Sequence, residues 1–319
     1  MRLVFMGTPG FAVPSLEALA AAGHQITAVV TRPDRPRRHG AAKPEASPVG
    51  ALAAARGWTI LRPLTLKDST AQAAIQALAP EIIVVVAFGQ LLPPPVLEQP
   101  PCGSVNLHAS LLPRWRGAAP IARAVMAGET ATGLSTMRME RGLDTGPVYA
   151  SVPCGIGPDE TAGELTGRMA DLGAVLLVET IEGIGAGTID ARPQDESGAT
   201  WAPPLKRAEA PIEWTTPAAV LAARIRGLNP WPMAETGLRG ERLQLLRAVA
   251  EPAAPAAAAA ADPGTVVEAT AERLVVACGG GTCLRLLELR RPGRRALTAR
   301  EAINGRLVGD GDRFTPIGG

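Results

Sequence analysis

The chain has 319 residues, 46% hydrophobic and 19% charged, with a formal net charge of +2. This length suits two domains better than one core, and the balance of apolar and charged residues excludes a disordered chain. The small net charge excludes recognition of nucleic acid by bulk charge alone, and no run approaches the ~20 apolar residues that span a bilayer.

Leu3–Met6 is a short apolar run ended by Gly7-Thr8-Pro9-Gly10. It reads as a strand and turn, not as the charged head and long apolar stretch of a signal peptide, so a cytoplasmic location is expected. Pro14–Ala22 predicts a helix stopped by Gly23, and Ile26–Val30 a second strand. Pro48–Arg56 predicts a helix ended by Gly57, and Leu66–Leu78 another that opens near Lys67-Asp68-Ser69 and is closed by Pro80. Ile82–Ala87 is apolar without alternation, the pattern of a parallel strand covered on both faces. Ser104–Leu107 begins the next strand, and Thr161–Ile184 is a long helix that should pack on the sheet. This order predicts an α/β fold with a doubly wound, mostly parallel sheet. Gly7-Thr8-Pro9-Gly10 is not a Gly-x-Gly-x-x-Gly fingerprint, which argues against a nicotinamide or flavin cofactor.

Gly185–Trp201 has the Gly, Asp, Pro and Ser content of a domain exit. The expected divisions are a first domain over 1–189, a linker over 190–206 and a second domain over 207–319. In the second, Pro217–Leu228 reads as a helix, while Thr236–Val249, Gly264–Glu268, Arg273–Ala277 and Thr282–Glu288 read as strands. Short strands between Gly-rich turns suggest a small β-barrel. Glu251–Pro263 is nearly all Ala and Pro and reads as a low-complexity surface loop. Residues 1–205 carry 16 basic and 18 acidic side chains, and residues 206–319 carry 16 and 12. The basic excess gathers in Arg290–Arg295, either a solvated turn or a phosphate-contacting patch. The four cysteines form no Cys-x-x-Cys pair and only three histidines are present, so no metal site is expected.

The chemistry concentrates at Asn106-Leu107-His108. On a strand, positions i and i+2 share a face, so an amide donor and an imidazole stand side by side. They lie at a strand's carboxyl end, where open α/β sheets bind ligands. Asp144 follows in the run Arg141–Gly146. Amide, imidazole and carboxylate are the parts needed to move an acyl-type group to a nucleophile. Spacing alone leaves open that Asn106 and His108 are turn residues and that Asp144 is a turn or N-cap carboxylate.

The longer context, Asn106-Leu-His108-Ala-Ser110-Leu-Leu-Pro113-Arg-Trp-Arg-Gly117 through Pro120 and Ile121, resembles the signature of the 10-formyltetrahydrofolate-dependent formyltransferases. Phe5–Pro9, Thr31–Pro36, Val86–Gly89, Gly142–Gly146 and Asn229–Met233 agree with it, so the resemblance covers nearly the whole chain. Within that family it is similar to members whose acceptor is initiator methionyl-tRNA. The resemblance implies a formyltransferase catalytic domain followed by an OB-like tRNA-binding barrel. It also implies catalysis by Asn106, His108 and Asp144, with 10-formyltetrahydrofolate as co-substrate. Val86–Gly89, with Phe88 and Gly89, and Leu91–Pro93 are expected to wall the pterin slot, although Phe88 and Leu91 also suit a core. Ser110, Leu111, Leu112 and Pro113 are similar to the folate-contacting loop of the family.

Expected tRNA contacts are Arg37, Arg38, His39 and Lys43 as a group, with Arg114 and Arg116 beside the possible stacking ring of Trp115. The 37–43 loop departs from bacterial relatives, with Ala41 and Ala42 where lysines are expected. No membrane partner is expected, and the chain is expected to be a monomer. The alternatives are a formyltransferase for another amine such as an amino sugar, a non-catalytic tRNA-binding protein, and a formyltetrahydrofolate hydrolase.

Overall fold

The computed structural model describes residues 1–34, 45–251 and 261–317. The chain forms two compact units. The first comprises Met1–Pro120, Thr132–Cys154 and Thr166–Ala202; the second comprises Ile121–Ala131, Gly155–Leu165 and Pro203–Gly319.

The first unit begins with β1 (Arg2–Gly7), α1 (Val13–Ala21), β2 (Gln25–Val30), α2 (Pro48–Ala55), β3 (Ile60–Leu61), α3 (Ser69–Ala77) and β4 (Ile82–Val86). It continues through α4 (Pro94–Leu97), β5 (Ser104–His108) and β6 (Arg116–Gly117). After α5 (Pro120–Met126), which falls almost wholly in the second unit, come β7 (Ala131–Arg138), β8 (Val148–Gly155), α6 (Ala162–Ala186) and β9 (Trp201–Ala202). The main sheet has the order β3-β2-β1-β4-β5-β7-β8. The pairs from β3 to β5 are parallel, and β7 joins β5 antiparallel. This is the expected doubly wound sheet, extended by an antiparallel edge that the sequence reading did not assign.

Local sequence accounts for the elements. All five residues of β4 are buried, as a continuous Ile/Val run covered on both faces requires. Helix α2 starts where the Ser47 hydroxyl accepts from Gly50 N–H (3.0 Å), with Pro48 preset for the first turn. Helix α3 starts where Asp68 accepts from Thr70 N–H (3.0 Å), at the Lys67-Asp68-Ser69 opening.

The second unit carries α7 (Ala218–Gly227), β10 (Ala234–Leu238), β11 (Glu241–Ala250), β12 (Val266–Ala269) and β13 (Leu274–Ala277). Next come β14 (Cys283–Arg290), β15 (Leu297–Thr298), α8 (Ala299–Asn304) and β16 (Phe314–Thr315). Thr236–Val249, read as one strand, is two. Arg239 and Gly240 both take left-handed backbone (φ 51° and 78°), which makes a tight hairpin turn between β10 and β11. The sheet runs β12-β13-β14-β11-β10-β16. Its ends meet at a Thr265–Arg313 bridge, with Phe314 N–H donating to Gly264 O and Val266 N–H to Asp312 O, each 2.8 Å. That closure gives the OB-like barrel. Trp214 stacks on Phe314 in its core (centroids 5.3 Å apart). Among the described residues, no helix is long and apolar enough to cross a membrane.

The strand that carries the site is held from behind by α6. A Cβ on Gly173 would lie 2.8 Å from Leu107 Cδ2 and 3.3 Å from Leu134 Cδ2, so the helix seats on β5 and β7 only because that position is bare. Gly173→Leu should therefore destabilise the protein by about 1–3 kcal/mol through overpacking. Chemical denaturation checks this; unchanged stability would mean the helix has room to move.

Candidate active site

β5 presents Asn106 and His108 at the carboxyl edge of the parallel sheet, Asn106 half-buried and His108 buried. The Asn106 carboxamide has no side-chain hydrogen bond among the described residues and remains available to a ligand. His108 Nε2 lies 3.0 Å from the carbonyl oxygen of Trp115. A carbonyl only accepts, so Nε2 carries a proton and donates it. In the neutral ring the lone pair is therefore on Nδ1. Nδ1 stands 3.7 Å from Asp144 Oδ2, close enough for charge attraction but too long for a direct hydrogen bond.

The Trp115 carbonyl is aimed by an unusual loop. Trp115 has φ 59°, a left-handed backbone that costs a non-glycine residue about 1–3 kcal/mol. Its N–H donates to Thr200 Oγ1 at 2.8 Å, and β6 pairs with β9 immediately afterwards. Ser110 is fully buried and donates to Arg114 O at 2.6 Å, closing the base of the same loop. Leu112 N–H donates to Ser135 Oγ (3.1 Å), and Ser135 Oγ donates to Ser110 O (2.8 Å). Ser135 pairs with His108 across β5 and β7, so the loop is tied to the strand it serves.

Asp144 also has left-handed backbone (φ 53°). Its Oδ2 accepts from Gly117 N–H at 2.8 Å, which sets the carboxylate against the end of β6. Gly117 has φ 120°, and a Cβ there would meet Ala202 O at 2.7 Å, so the close approach of β6 to β9 requires glycine. The structure thus brings Asn106, His108 and Asp144 into one neighbourhood.

The other expected site residues divide. Phe88 is buried in the core with Met6, Val85 and Leu92, so its ring is core and not a slot wall. Leu91 is 73% exposed. Gly89 is exposed and its carbonyl accepts from Arg32 at 2.5 Å. Leu111, Leu112 and Pro113 are half-buried on the loop beside His108.

Arg114 is exposed, whereas Arg116 is 2% exposed. The expectation that Arg116 contacts tRNA is corrected here. Its guanidinium is turned inward and occupied by Gln194 Oε1 (3.2 and 2.7 Å) and by Glu196 (2.8 and 2.7 Å), leaving no edge for a phosphate. Arg37, Arg38, His39 and Lys43 lie outside the described residues. In the Arg290–Arg295 cluster, Arg290 bonds Gln244, Arg291 pairs with Glu241 and Arg295 pairs with Glu301. Arg294 is exposed.

Gln194 and Glu196 were missed by the sequence reading, which placed them in a linker. No spacing signal marks them. They matter only because the chain returns from α6 to run beside β6.

The Arg116–Glu196 pair joins a buried cation to a surface carboxylate. The hydrogen bond with Glu196 raises the Arg116 guanidinium above its ordinary value, with burial opposing. The same bond holds Glu196 below the usual 4.5. A carboxyl lowered on folding stabilises above its unfolded pKa, and that contribution is lost as pH falls through the folded value. On acidification from 4.5 downward, melting temperature should therefore fall less steeply in Glu196→Gln than in the parent protein. Parallel acid slopes would show that this pair does not couple to folding.

The amide, imidazole and carboxylate thus gather beyond the strand ends of an open α/β sheet, where such sheets bind ligands. Residues 1–181 match the Formyl transferase family and residues 204–307 the Formyl transferase, C-terminal domain. The methionyl-tRNA formyltransferase of Methylococcus capsulatus is 46% identical over 304 residues, covering 95% of this chain and 96% of that protein. That of Moorella thermoacetica is 48% identical over 306 residues, covering 96% of each. The chain therefore belongs to the formyl transferase family, in its methionyl-tRNA formyltransferase branch. A similar fold occurs in the N-formyltransferase from Helicobacter canadensis, solved in complex with folinic acid and dTDP-3-aminofucose. Its TM-score is 0.66 at 16% identity, covering 90% of this chain and 98% of that one.

Proposed function

We propose that the protein transfers the formyl group of 10-formyltetrahydrofolate to the amino group of methionine on initiator methionyl-tRNA. The observation that carries this reading is identity of 46–48% along nearly the whole chain with methionyl-tRNA formyltransferases, both terminal regions included. The family and the folinic acid bound in the fold neighbour's complex support the choice of co-substrate.

The amine nitrogen attacks the formyl carbon, and the carbon–N10 bond of the folate breaks. The attacking ammonium loses a proton and N10 gains one. Negative charge gathers on the formyl oxygen as the carbon becomes tetrahedral, and preorganised donors stabilise it. The unpartnered Asn106 carboxamide is one such donor. With Nε2–H held by Trp115, the ring atom left to act is Nδ1, which donates when the ring is charged and accepts a proton when it is neutral. Asp144 Oδ2 faces that atom at 3.7 Å. The loop Ser110–Pro113 borders the same edge and offers a wall for the folate. Arg114 and the 37–43 segment remain the proposed tRNA contacts, and the divisions 1–189, 190–206 and 207–319 remain the proposed functional partition.

The test is folate release from 10-formyltetrahydrofolate by purified protein, with and without charged initiator tRNA. Release only with charged tRNA supports the reading, release without it indicates hydrolysis, and no release in either case refutes it. Asn106→Ala should lower kcat by roughly a hundredfold or more, the scale of one lost oxyanion donor. His108→Ala should lower turnover by about tenfold or more while tRNA affinity changes little. Near-normal turnover in the His108 variant would remove the ring from the reaction.

A further inference from the structure

Gln194 lies in a stretch whose composition marks a connector, yet its side chain is fully engaged. Nε2 donates to the backbone carbonyls of Asp144 (2.9 Å) and Gly146 (2.7 Å). Oε1 accepts from Arg116 Nε (3.2 Å) and Nη2 (2.7 Å). A primary amide has two N–H donors and one oxygen with two lone pairs, and all are used here. The amide has one workable orientation, because its reverse would set N–H against guanidinium and oxygen against two carbonyls. Arg116, the residue that presents Gln194, is itself fixed from the surface side by both carboxylate oxygens of Glu196.

The clamp closes on strained backbone. Asp144 sits in the left-handed region, which persists only where surrounding bonds over-determine it. Its carboxylate bonds Gly117 N–H, one residue beyond Arg116. The chain around Arg116 therefore holds Asp144 twice, directly through Gly117 and indirectly through Gln194.

We infer that Gln194 is a positioning residue for the formyl transfer: it locks the Asp144–Gly146 backbone so that the Asp144 carboxylate stays opposite His108 Nδ1. Arg116 and Glu196 keep Gln194 in register for that task. The inference rests on the proposed reading that Asp144 acts with His108. Its functional weight comes from distance, since a shift of ~1 Å in a catalytic group can cost about a hundredfold in rate.

The test uses full-length Gln194→Leu, Gln194→Glu, Asp144→Asn and the double variant Gln194→Leu with Asp144→Asn. Each is assayed with 10-formyltetrahydrofolate and charged initiator tRNA, and its melting temperature is recorded. Gln194→Glu keeps the acceptor for Arg116, so it should fold, but its second oxygen faces two carbonyls. In both Gln194 variants kcat should fall roughly tenfold or more, with both KM values within about threefold of the parent. On the Asp144→Asn background, Gln194→Leu should cost no more than about twofold further, because the two residues act as one unit. Parental kcat in Gln194→Glu, or an undiminished further loss in the double variant, overturns the inference. If Asp144→Asn is impaired and the Gln194 variants are not, only this inference fails. If Asp144→Asn turns over like the parent, the reading beneath it fails as well.

Discussion

The site depends on the hydrogen bond from His108 Nε2–H to the Trp115 carbonyl. It decides which ring nitrogen is free, and Nδ1 is the one that faces Asp144. Without that carbonyl the imidazole could turn or take the other tautomer, and Asp144 would then face an N–H it could hold in place. With it, the neutral ring offers a lone pair and the charged ring an N–H at the same point. In the proposed reaction, that one atom would take the amine's proton and pass one on to N10 of the folate.

Much of the surrounding structure serves to aim that carbonyl and that carboxylate. Two non-glycine residues with left-handed backbone, Trp115 and Asp144, carry the groups that touch His108 on either side. Each is restrained by short bonds: Trp115 by Thr200, and Asp144 by Gly117 and Gln194. The restraints all converge on the pairing of β6 with β9. A segment distant in sequence from the signature stretch therefore sets the site's geometry. Arg116 illustrates the economy of the arrangement. Burial of a guanidinium is costly without partners, and one of its partners here, Gln194, also holds the Asp144–Gly146 backbone.

The sheet was legible because apolar runs such as Ile82–Val86 are buried on both faces and leave no alternation to misread. Asn106 and His108 were legible because strand geometry puts alternate residues on one face and their strand ends at the sheet's carboxyl edge. Asp144 was readable only through the family's motif, since a Leu-Asp-Thr-Gly run by itself is equally a turn. Gln194 was not readable at all: its partners are 48 to 78 residues away, and polar linker composition is what a clamp of this kind also looks like. Arg116 was misread for a related reason. Arginine beside tryptophan suggests a phosphate contact, and only the fold shows the guanidinium turned inward. Residues 121–131 and 155–165 pack with the second unit. Linear composition could not announce this, because their apolar faces look alike whichever core receives them.

The most direct measurement is ring-nitrogen NMR of full-length protein labelled at its histidines, with His108 assigned by comparison with a His108→Gln variant. The account predicts that the neutral His108 ring carries its proton on Nε2 and a bare lone pair on Nδ1. A neutral His108 ring with its proton on Nδ1 and a bare Nε2 would contradict it.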